Sequence, residues 1–290
     1  MIHVQILNLY KNIIIYLLMK MNVKLLICDI DGTLVMKGGQ PMPKTKEALQ
    51  RFHDAGVMMG LASGRPIDQR MINKYHEWGL DFLPDVLIGF NGCQTWNHID
   101  QKVEVLEKLK KEEIREILEY MWDLGTNVIT YEDGYNKVIA RKMDWMLEAS
   151  QKRNNSNIVI ADRERLCLND TCKLEFHYEE EMDDKVMDMA RRHPSDKYVY
   201  IKTFAGTLEY MKPGIDKGRA LKKICERFDI SLKDVIACGD MDNDIEMIKE
   251  AGTGVCLLNG SDKTKKAADY ITAKDVNHDG LGEFLLERYF

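Results

Sequence analysis

Two carboxylates stand two residues apart near the beginning of the chain, directly after an apolar run that ends at Ile27. The stretch reads CDIDGTL from Cys28 to Leu34, so a glycine and a threonine follow Asp29 and Asp31 at once. Side chains two apart on an extended strand point the same way, and both carboxylates can therefore share one side. Because carboxylates at that distance repel each other, a cation, a shared proton or bulk water has to offset the repulsion.

Other polar clusters follow apolar runs later in the chain. They are Ser63-Gly64-Arg65, Asn91-Gly92 and Asp240/Asn243/Asp244, and Lys217 opens a predicted helix beside them. In an open α/β sheet, ligands bind outside the carboxyl ends of the strands. Asp240 would there add a third carboxylate, and three acidic groups at one edge indicate a hard-cation site. Mg²⁺ takes few protein carboxylates and leaves positions for water and phosphate oxygens.

The elements that must position these residues alternate between short apolar runs and amphipathic stretches. The predicted strands are Val23–Cys28, Val57–Ala62, Val86–Phe90 and Val235–Cys238, and the predicted helices are Thr45–Gly56, Pro66–Trp78 and Lys217–Phe228. Alternation of this kind predicts an α/β fold, with a doubly wound parallel sheet covered by helices on both faces.

A different pattern occupies the middle of the chain. It includes predicted helices at Glu112–Leu124 and Met182–Arg191 and a half-buried strand at Cys172–Tyr178. We expect an inserted, smaller α+β domain over residues 93–208, and a catalytic core formed by residues 21–92 and 209–290. Residues 1–20 are interpreted as an N-terminal extension that comes from an upstream start codon or forms a short additional element.

Composition and charge narrow the classes of function. The net charge of −6 lacks the basic footprint of nucleic-acid binding. The apolar run Ile13–Met19 has seven residues, whereas a membrane-spanning helix needs about 20, so we expect no membrane partner. Seven scattered cysteines favour a reducing, cytoplasmic location over a disulfide framework. The sequence carries no signal of oligomeric state.

Four motifs in order resemble those of one known family. "DIDGTL", "LASGR", "GIDKGRAL" and "GDMDNDIEM" resemble the motifs of the haloacid dehalogenase (HAD) superfamily. The long insert between the second and third motifs resembles the Cof-type branch, which carries an inserted α/β cap of type IIB. The resemblance covers about residues 21–290. It implies a Rossmann-like core and Mg²⁺-dependent phosphoryl transfer through an aspartyl-phosphate.

The resemblance implies a role for each acidic residue of the first and last motifs. Asp29 would be the nucleophile and a metal ligand. Asp31 would place its backbone carbonyl on the metal, and its carboxyl group would protonate the leaving oxygen and later activate water. Asp240 would be the third metal ligand, and Asp244 would orient Lys217. The repulsion between the first two carboxylates would then be offset by Mg²⁺ and by the proton of Asp31.

The resemblance also implies a set of phosphate contacts. Lys217 and Mg²⁺ would neutralise charge on the phosphoryl group. The other predicted donors are the Ser63 hydroxyl, the Asn243 side chain and the backbone N–H groups of Gly32, Thr33 and Gly64. Arg65 would either contact the substrate or form a surface salt bridge, and Asn91 is also compatible with a simple turn.

The function expected from this set of residues is that of a Mg²⁺-dependent phosphatase. Its substrates would be small phosphorylated metabolites, either sugar phosphates or nucleotide-like cofactors. Two alternatives stay open: a phosphomutase that uses the same aspartate pair, and a regulator that binds a phosphorylated metabolite without turnover. The cap supplies specificity in the resembled family, and nothing in its sequence here identifies the substrate.

Overall fold

The computed structural model describes residues 22–36 and 38–290. The predicted N-terminal extension, residues 1–20, lies outside the described residues. Within them, the chain divides into two units: the first comprises the residues up to Glu104 together with Asp216–Phe290, and the second is Val105–Ile215. None of the helices described is both long and apolar enough to cross a lipid bilayer.

Both units contain strands and helices. The strands are β1 (Leu25–Asp29), β2 (Met58–Ala62), β3 (Val86–Gly89), β4 (Gln94–Asn97), β5 (Glu104–Val105), β6 (Asn127–Asp133), β7 (Lys137–Ala140), β8 (Ile158–Ile160), β9 (Leu174–His177), β10 (Val199–Phe204), β11 (Thr207–Met211), β12 (Val235–Gly239), β13 (Thr253–Cys256) and β14 (Tyr270–Ile271). The helices are α1 (Pro43–Asp54), α2 (Gln69–Ile72), α3 (Lys74–Glu77), α4 (Lys111–Met121), α5 (Trp145–Asn154), α6 (Arg163–Leu166), α7 (Asp183–Arg192), α8 (Lys217–Arg227), α9 (Ile245–Glu250), α10 (Asp262–Ala267) and α11 (Gly280–Tyr289).

The first sheet is mainly parallel and has β1 near its centre. Its strand order is β14-β13-β12-β1-β2-β3-β4-β5, and β1 pairs in parallel with both β12 and β2. The chain therefore builds outward from β1 in one direction and later returns to build outward in the other. Such a reversal of strand order defines a topological switch point, here between β1 and β12, where α/β proteins bind ligands. The predicted doubly wound α/β fold is confirmed.

Helices cover the central strands on both faces. Leu26 and Cys28 of β1 belong to one buried cluster together with Leu49 of α1 and Leu285 of α11. On the β13 strand, Gly254 approaches Ile248 of α9 so closely that any side chain there would collide with it. Strands that are buried on both faces read as continuous apolar runs, which is why the sequence around β1 is apolar throughout.

The second unit contains a six-stranded sheet with one apolar face. Its strand order is β10-β11-β9-β6-β7-β8, and its pairs are antiparallel except β7 with β8. Leu174 and Phe176 of β9 share a buried cluster with Ile117 of α4 and Val186 of α7. The period-two pattern of β9 therefore buries its apolar residues against helices.

Charged residues alternate with these apolar ones and form a buried network. Lys173 Nζ lies 2.6 Å from Glu209 Oε1 and 3.0 Å from Glu175 Oε2. His177 lies between Glu175, at 2.9 Å, and Asp144, at 3.0 Å. Burial alone would lower the pKa of His177, but the hydrogen bonds to both carboxylates raise that pKa to about 9. Each charge is thus paired, as buried charges must be.

The predicted domain boundaries, 92/93 and 208/209, differ from the division that the structure shows. β4 pairs antiparallel with β3, for example Leu87 with Trp96, and residues 93–104 consequently stay with the first unit. β11 pairs with both β9 and β10, and residues 209–215 consequently stay with the second. Strand pairing continues past the last motif residue on each side, and the sequence motifs do not record it.

The predicted helix Pro66–Trp78 was wrong in its extent. The structure has two four-residue helices instead, separated at Asn73, which has a φ of −87° and a ψ of 8°. The first begins only after Asp68, because the Asp68 carboxylate accepts hydrogen bonds from the backbone N–H groups of Arg70 and Met71.

Candidate active site

A fully buried lysine lies between two carboxylates at the switch point. Lys217 is the first residue of α8, and its Nζ lies 2.5 Å from Asp29 Oδ1 and 2.6 Å from Asp244 Oδ1. Its exposed fraction is 0 %. A buried ammonium group is tolerated only when it is paired and hydrogen-bonded. Asp244, which the sequence predicts to orient Lys217, thus contacts it directly, and the orienting role itself stays a prediction.

Asp244 connects Lys217 to the loop after β12. Its second oxygen, Oδ2, accepts hydrogen bonds from the backbone N–H groups of Asp240 and Met241, at 2.9 and 3.0 Å. Both oxygens of the Asp244 carboxylate are therefore engaged, one by the lysine and one by the loop. This arrangement fixes the backbone of Asp240 relative to the ammonium group of Lys217, which faces Asp29.

The turn after β1 approaches the same loop closely. Thr33 donates a hydrogen bond from its hydroxyl to Asp240 Oδ1 at 2.8 Å, and Asn259 Nδ2 donates to the Gly32 carbonyl at 2.8 Å. Gly32 has a φ of +98°, and a side chain there would collide with the Asp240 carboxylate. The DGT sequence after Ile30 is thus required for Asp29 and Asp240 to meet.

Crowding of carboxylates shifts the ionisation of the site. Burial raises the pKa of Asp29 well above its usual range; Lys217 opposes the rise, and Asp244 and Asp240 add to it. Burial, followed by the charge of Asp244, raises the pKa of Asp240 to about 7. Burial alone would lower the pKa of Lys217, but Asp244 and Asp29 raise it. One buried ammonium thus does not balance three carboxylates, and the site favours a further positive charge.

The donor set suits a hard cation. One oxygen from each of Asp29, Asp240 and Asp244 lies within 4.8 Å of the others. Among the residues that the structure describes, Oδ2 of Asp29 and Oδ2 of Asp240 have no hydrogen-bond donor, whereas both oxygens of Asp244 do. Oxygen ligands of this kind are those that Mg²⁺ takes. Asp29 and Asp240 therefore fit the predicted ion.

The carboxylate of Asp31 does not belong to this group. Asp31 Oδ1 accepts a hydrogen bond from Arg65 at 2.6 Å, and both side chains are partly buried. The structure therefore places Arg65 on Asp31, a pairing that the sequence analysis did not anticipate. The predicted coordination of the metal by the backbone carbonyl of Asp31, and the predicted acid and base roles of its carboxyl group, stay predictions.

The predicted phosphate contacts come together at the carboxyl ends of β2, β3 and β12. Ser63 is buried and follows β2, and its Oγ accepts a hydrogen bond from the Arg65 backbone N–H at 3.2 Å. Asn243 Nδ2 donates to Asn91 Oδ1 at 2.9 Å, and Gly64 also lies against that oxygen. From the sequence, Asn91 is compatible with either a site residue or a turn residue, and its contact with Asn243 has no signal there.

The comparison with protein-family models identifies the class. The model for haloacid dehalogenase-like hydrolases matches residues 26–285, which is most of the chain. The chain therefore belongs to this family, as its four motifs predicted, and within the family it is an enzyme of the phosphatase type.

Individual relatives agree with this assignment. The chain is 29% identical over 265 residues to the 5-amino-6-(5-phospho-D-ribitylamino)uracil phosphatase YcsE of Bacillus subtilis, covering 90% of this chain and 94% of the relative. A solved haloacid dehalogenase-like hydrolase from Bacteroides thetaiotaomicron has 26% identity and a TM-score of 0.77, covering 92% of this chain and 100% of that one. A solved HAD subclass IIB sugar phosphatase shares the fold, with a TM-score of 0.77 at 24% identity, covering 91% and 98%.

Proposed function

We propose that the protein hydrolyses small phosphate monoesters in a Mg²⁺-dependent reaction that passes through an aspartyl-phosphate on Asp29. The observation that carries this proposal is the position of Asp29 at the end of β1, with one oxygen held by the buried Lys217 and the other without a donor among the described residues. A carboxylate can act as a covalent nucleophile and so divide one difficult displacement into two.

In the first step, an oxygen of Asp29 forms a bond to phosphorus while the bond from phosphorus to the ester oxygen breaks. The leaving oxygen takes its proton from the Asp31 carboxyl group. Lys217, 2.5 Å from Asp29, stabilises the negative charge that gathers on the phosphoryl oxygens. The proposed hydrogen-bond donors to those oxygens are the Ser63 hydroxyl, the Asn243 amide and the backbone N–H groups of Gly32, Thr33 and Gly64.

In the second step, water attacks the phosphorus of the aspartyl-phosphate and gives its proton to the Asp31 carboxylate. The bond between phosphorus and the Asp29 oxygen breaks, which releases inorganic phosphate and restores both aspartates. Arg65 must exchange its present contact with Asp31 Oδ1 for another partner when Asp31 turns to the leaving oxygen. We propose that this partner is the substrate.

Asp29, Asp240 and the Asp31 backbone carbonyl are the proposed ligands of Mg²⁺. When bound, Mg²⁺ supplies positive charge to the phosphoryl oxygens and offsets the repulsion among the carboxylates. Asp244 holds the Asp240 backbone and Lys217 in place without itself being a ligand.

We further propose that the substrates are sugar phosphates or nucleotide-like phosphorylated cofactors, and that the second unit selects among them. Two of the relatives are a ribitylaminouracil phosphatase and a sugar phosphatase by name, which supports these classes. All seven cysteines are free thiols, which supports a reducing, cytoplasmic site of action.

The test is phosphate release from p-nitrophenyl phosphate with Mg²⁺, with and without a chelator. The wild type should turn over only with Mg²⁺. Asp29→Asn should lose turnover while still unfolding in a single cooperative thermal transition, shifted by the loss of one partner of Lys217. Asp242→Asn, in the short helix that also contains Asp244 but paired with Lys263, should keep most of the turnover. Turnover by Asp29→Asn near the wild-type rate would contradict the proposal.

A panel of phosphorylated metabolites then separates the alternatives. A phosphatase releases inorganic phosphate from a subset of the panel. A phosphomutase would instead convert one phosphorylated sugar into its isomer without releasing phosphate. A binding protein would show affinity for a member of the panel and no chemistry.

A further inference from the structure

Asn91 touches three of the residues that we propose to contact phosphate. Its Oδ1 accepts a hydrogen bond from Asn243 Nδ2 at 2.9 Å, and its backbone N–H donates to the Ser63 carbonyl at 3.1 Å. A Cβ on Gly64 would lie 3.1 Å from the same Oδ1. Asn91 is itself 2 % exposed. One buried residue thus joins, through its side chain and its backbone, loops from the ends of three separate strands.

The backbone at this point adopts an unfavourable conformation. Phe90, Asn91 and Gly92 have φ values of 45°, 54° and 105°, so three successive residues lie in the left-handed region. Asparagine tolerates this region better than most residues, and glycine tolerates it best. Strain of this kind persists only where surrounding contacts enforce it, and it concentrates at functional sites.

The same segment also packs against the base of the lysine helix. A side chain at Gly92 would collide with the carbonyl of Asp216, which is the residue that precedes Lys217. The strained segment therefore fixes the distance between the end of β3 and the start of α8. Its conformation and the side chain of Asn91 act at the same place.

We infer that Asn91 is a positioning residue that orients the Asn243 amide toward the transferring phosphoryl group. This inference rests on the proposed function, because the phosphate contact of Asn243 belongs to that proposal. One amide hydrogen of Asn243 is given to Asn91, which fixes the plane of the amide. The other amide hydrogen is then held in one direction, and the phosphoryl oxygen meets a donor that is already oriented.

The test is a double-mutant cycle of Asn91→Gly and Asn243→Ala. Glycine removes the side chain but keeps the left-handed backbone, so the strained segment is preserved. Two quantities are measured: the affinity for orthovanadate in the presence of Mg²⁺, by calorimetry, and kcat/KM for p-nitrophenyl phosphate. Asn91→Gly should weaken each about tenfold, the loss of one hydrogen bond that aligns a ligand contact. In the Asn243→Ala background, Asn91→Gly should lower each quantity less than about twofold.

The matched control is Asn155→Gly. Asn155 is exposed and ends α5 with a left-handed φ of 48°, so the control makes the same substitution in the same backbone region. It should leave both quantities unchanged. An equal loss from Asn91→Gly in both backgrounds would show a purely structural role and would overturn the inference, as would no loss in either.

The two readouts separate this inference from the proposed function. A wild type that binds orthovanadate but hydrolyses no ester would overturn the proposed function, and the cycle in affinity would still decide the role of Asn91. A wild type that does neither would overturn both.

If Asn91→Gly fails to fold, Asn91→Asp replaces it, because aspartate keeps the hydrogen-bond acceptor and tolerates the left-handed backbone conformation. Asn243→Ala should then lower the orthovanadate affinity and kcat/KM by the same factor in the Asn91→Asp background as in the wild type. No reduction in that background would overturn the inference.

Discussion

Asp244→Asn tests how the buried lysine is held. The Asp244 carboxylate accepts from Lys217 with one oxygen and from two backbone N–H groups with the other. Asparagine has a single side-chain oxygen, and it can satisfy the lysine or the loop but not both. The remaining NH₂ group must then face a donor. We expect Asp244→Asn to destabilise the first unit and to slow turnover.

Two opposing effects set how much Asp244→Asn destabilises the protein. A hydrogen bond to a charged group contributes about 1.5–3 kcal/mol, and breaking a buried ion pair costs about 3–5 kcal/mol. Removing the Asp244 charge also relieves its repulsion of Asp29 and Asp240, whose pKa values it raises. Lys217 keeps Asp29 as a partner, so the loss falls at the lower end, at about 2–3 kcal/mol in the free energy of unfolding. A misaligned lysine should also lower kcat/KM at least about tenfold.

Urea denaturation in the presence of a chelator measures the free energy of unfolding without a contribution from bound metal. Asp242→Asn is the matched control, since Asp242 lies in the same short helix and pairs with the exposed Lys263. Such an exposed pair contributes about 0–1 kcal/mol. If Asp244→Asn unfolded at the same urea concentration as Asp242→Asn and kept its kcat/KM, the account of Lys217 would be refuted.

Other predictions concern protons and pairing. In metal-free protein, the pKa of Asp240 is raised to about 7 from 3.8, so the folded state holds an extra proton, and stability falls as pH rises through that window. Calorimetry should therefore detect protons released when Mg²⁺ binds near pH 6, and no proton release there would contradict the buried carboxylate cluster. His177, with a pKa raised to about 9, contributes stability below pH 6.5 that is lost as pH rises to 9. His177→Gln should remove that pH dependence, while the exposed His76→Gln should not. Arg65→Ala should raise KM more than it lowers kcat, because Arg65 is proposed to move from Asp31 to the substrate; unchanged steady-state constants would exclude a substrate contact.

The sequence was sufficient to predict the residues at the switch point. Each of these residues adjoins a predicted element. Asp29 follows the apolar run of the first strand, Asp240 and Asp244 follow that of Val235–Cys238, and Lys217 begins a helix. Parallel strands bring their carboxyl ends to one edge, so the order of strands and helices implies that these residues meet. Gly32 and Thr33 belong to the same motif, but the positive φ of Gly32 and the hydrogen bond from the Thr33 hydroxyl to Asp240 became visible only in the structure.

Contacts between loops could not be predicted in the same way. The pairing of Arg65 with Asp31 and of Asn91 with Asn243 joins side chains from different strands. Which loops face each other depends on strand order and on backbone angles such as the φ of 54° at Asn91, and neither is visible in the spacing of residues. The boundaries of the second unit were missed for a related reason, because β4 and β11 are defined by their partners.

The chemistry of the second unit also depended on the structure. Lys173, Glu175 and His177 alternate with apolar residues as an exposed strand face would. The structure instead buries Lys173 and His177, leaves Glu175 only partly exposed, and pairs each of the three with an opposite charge. Alternation identifies the two faces of a strand, but it does not show whether the polar face meets solvent or other charged groups.

The most direct test of the central claim is detection of the phosphate on Asp29. Asp31→Asn should still bind Mg²⁺ and still transfer a phosphoryl group from p-nitrophenyl phosphate, because this leaving group needs little protonation. It should then fail to activate water, so the aspartyl-phosphate accumulates. Mass spectrometry of the digested protein should find a phosphate adduct on the peptide that contains Asp29, and no adduct when Asp29→Asn is added. An adduct on another peptide, or none although the wild type turns over, would contradict the account.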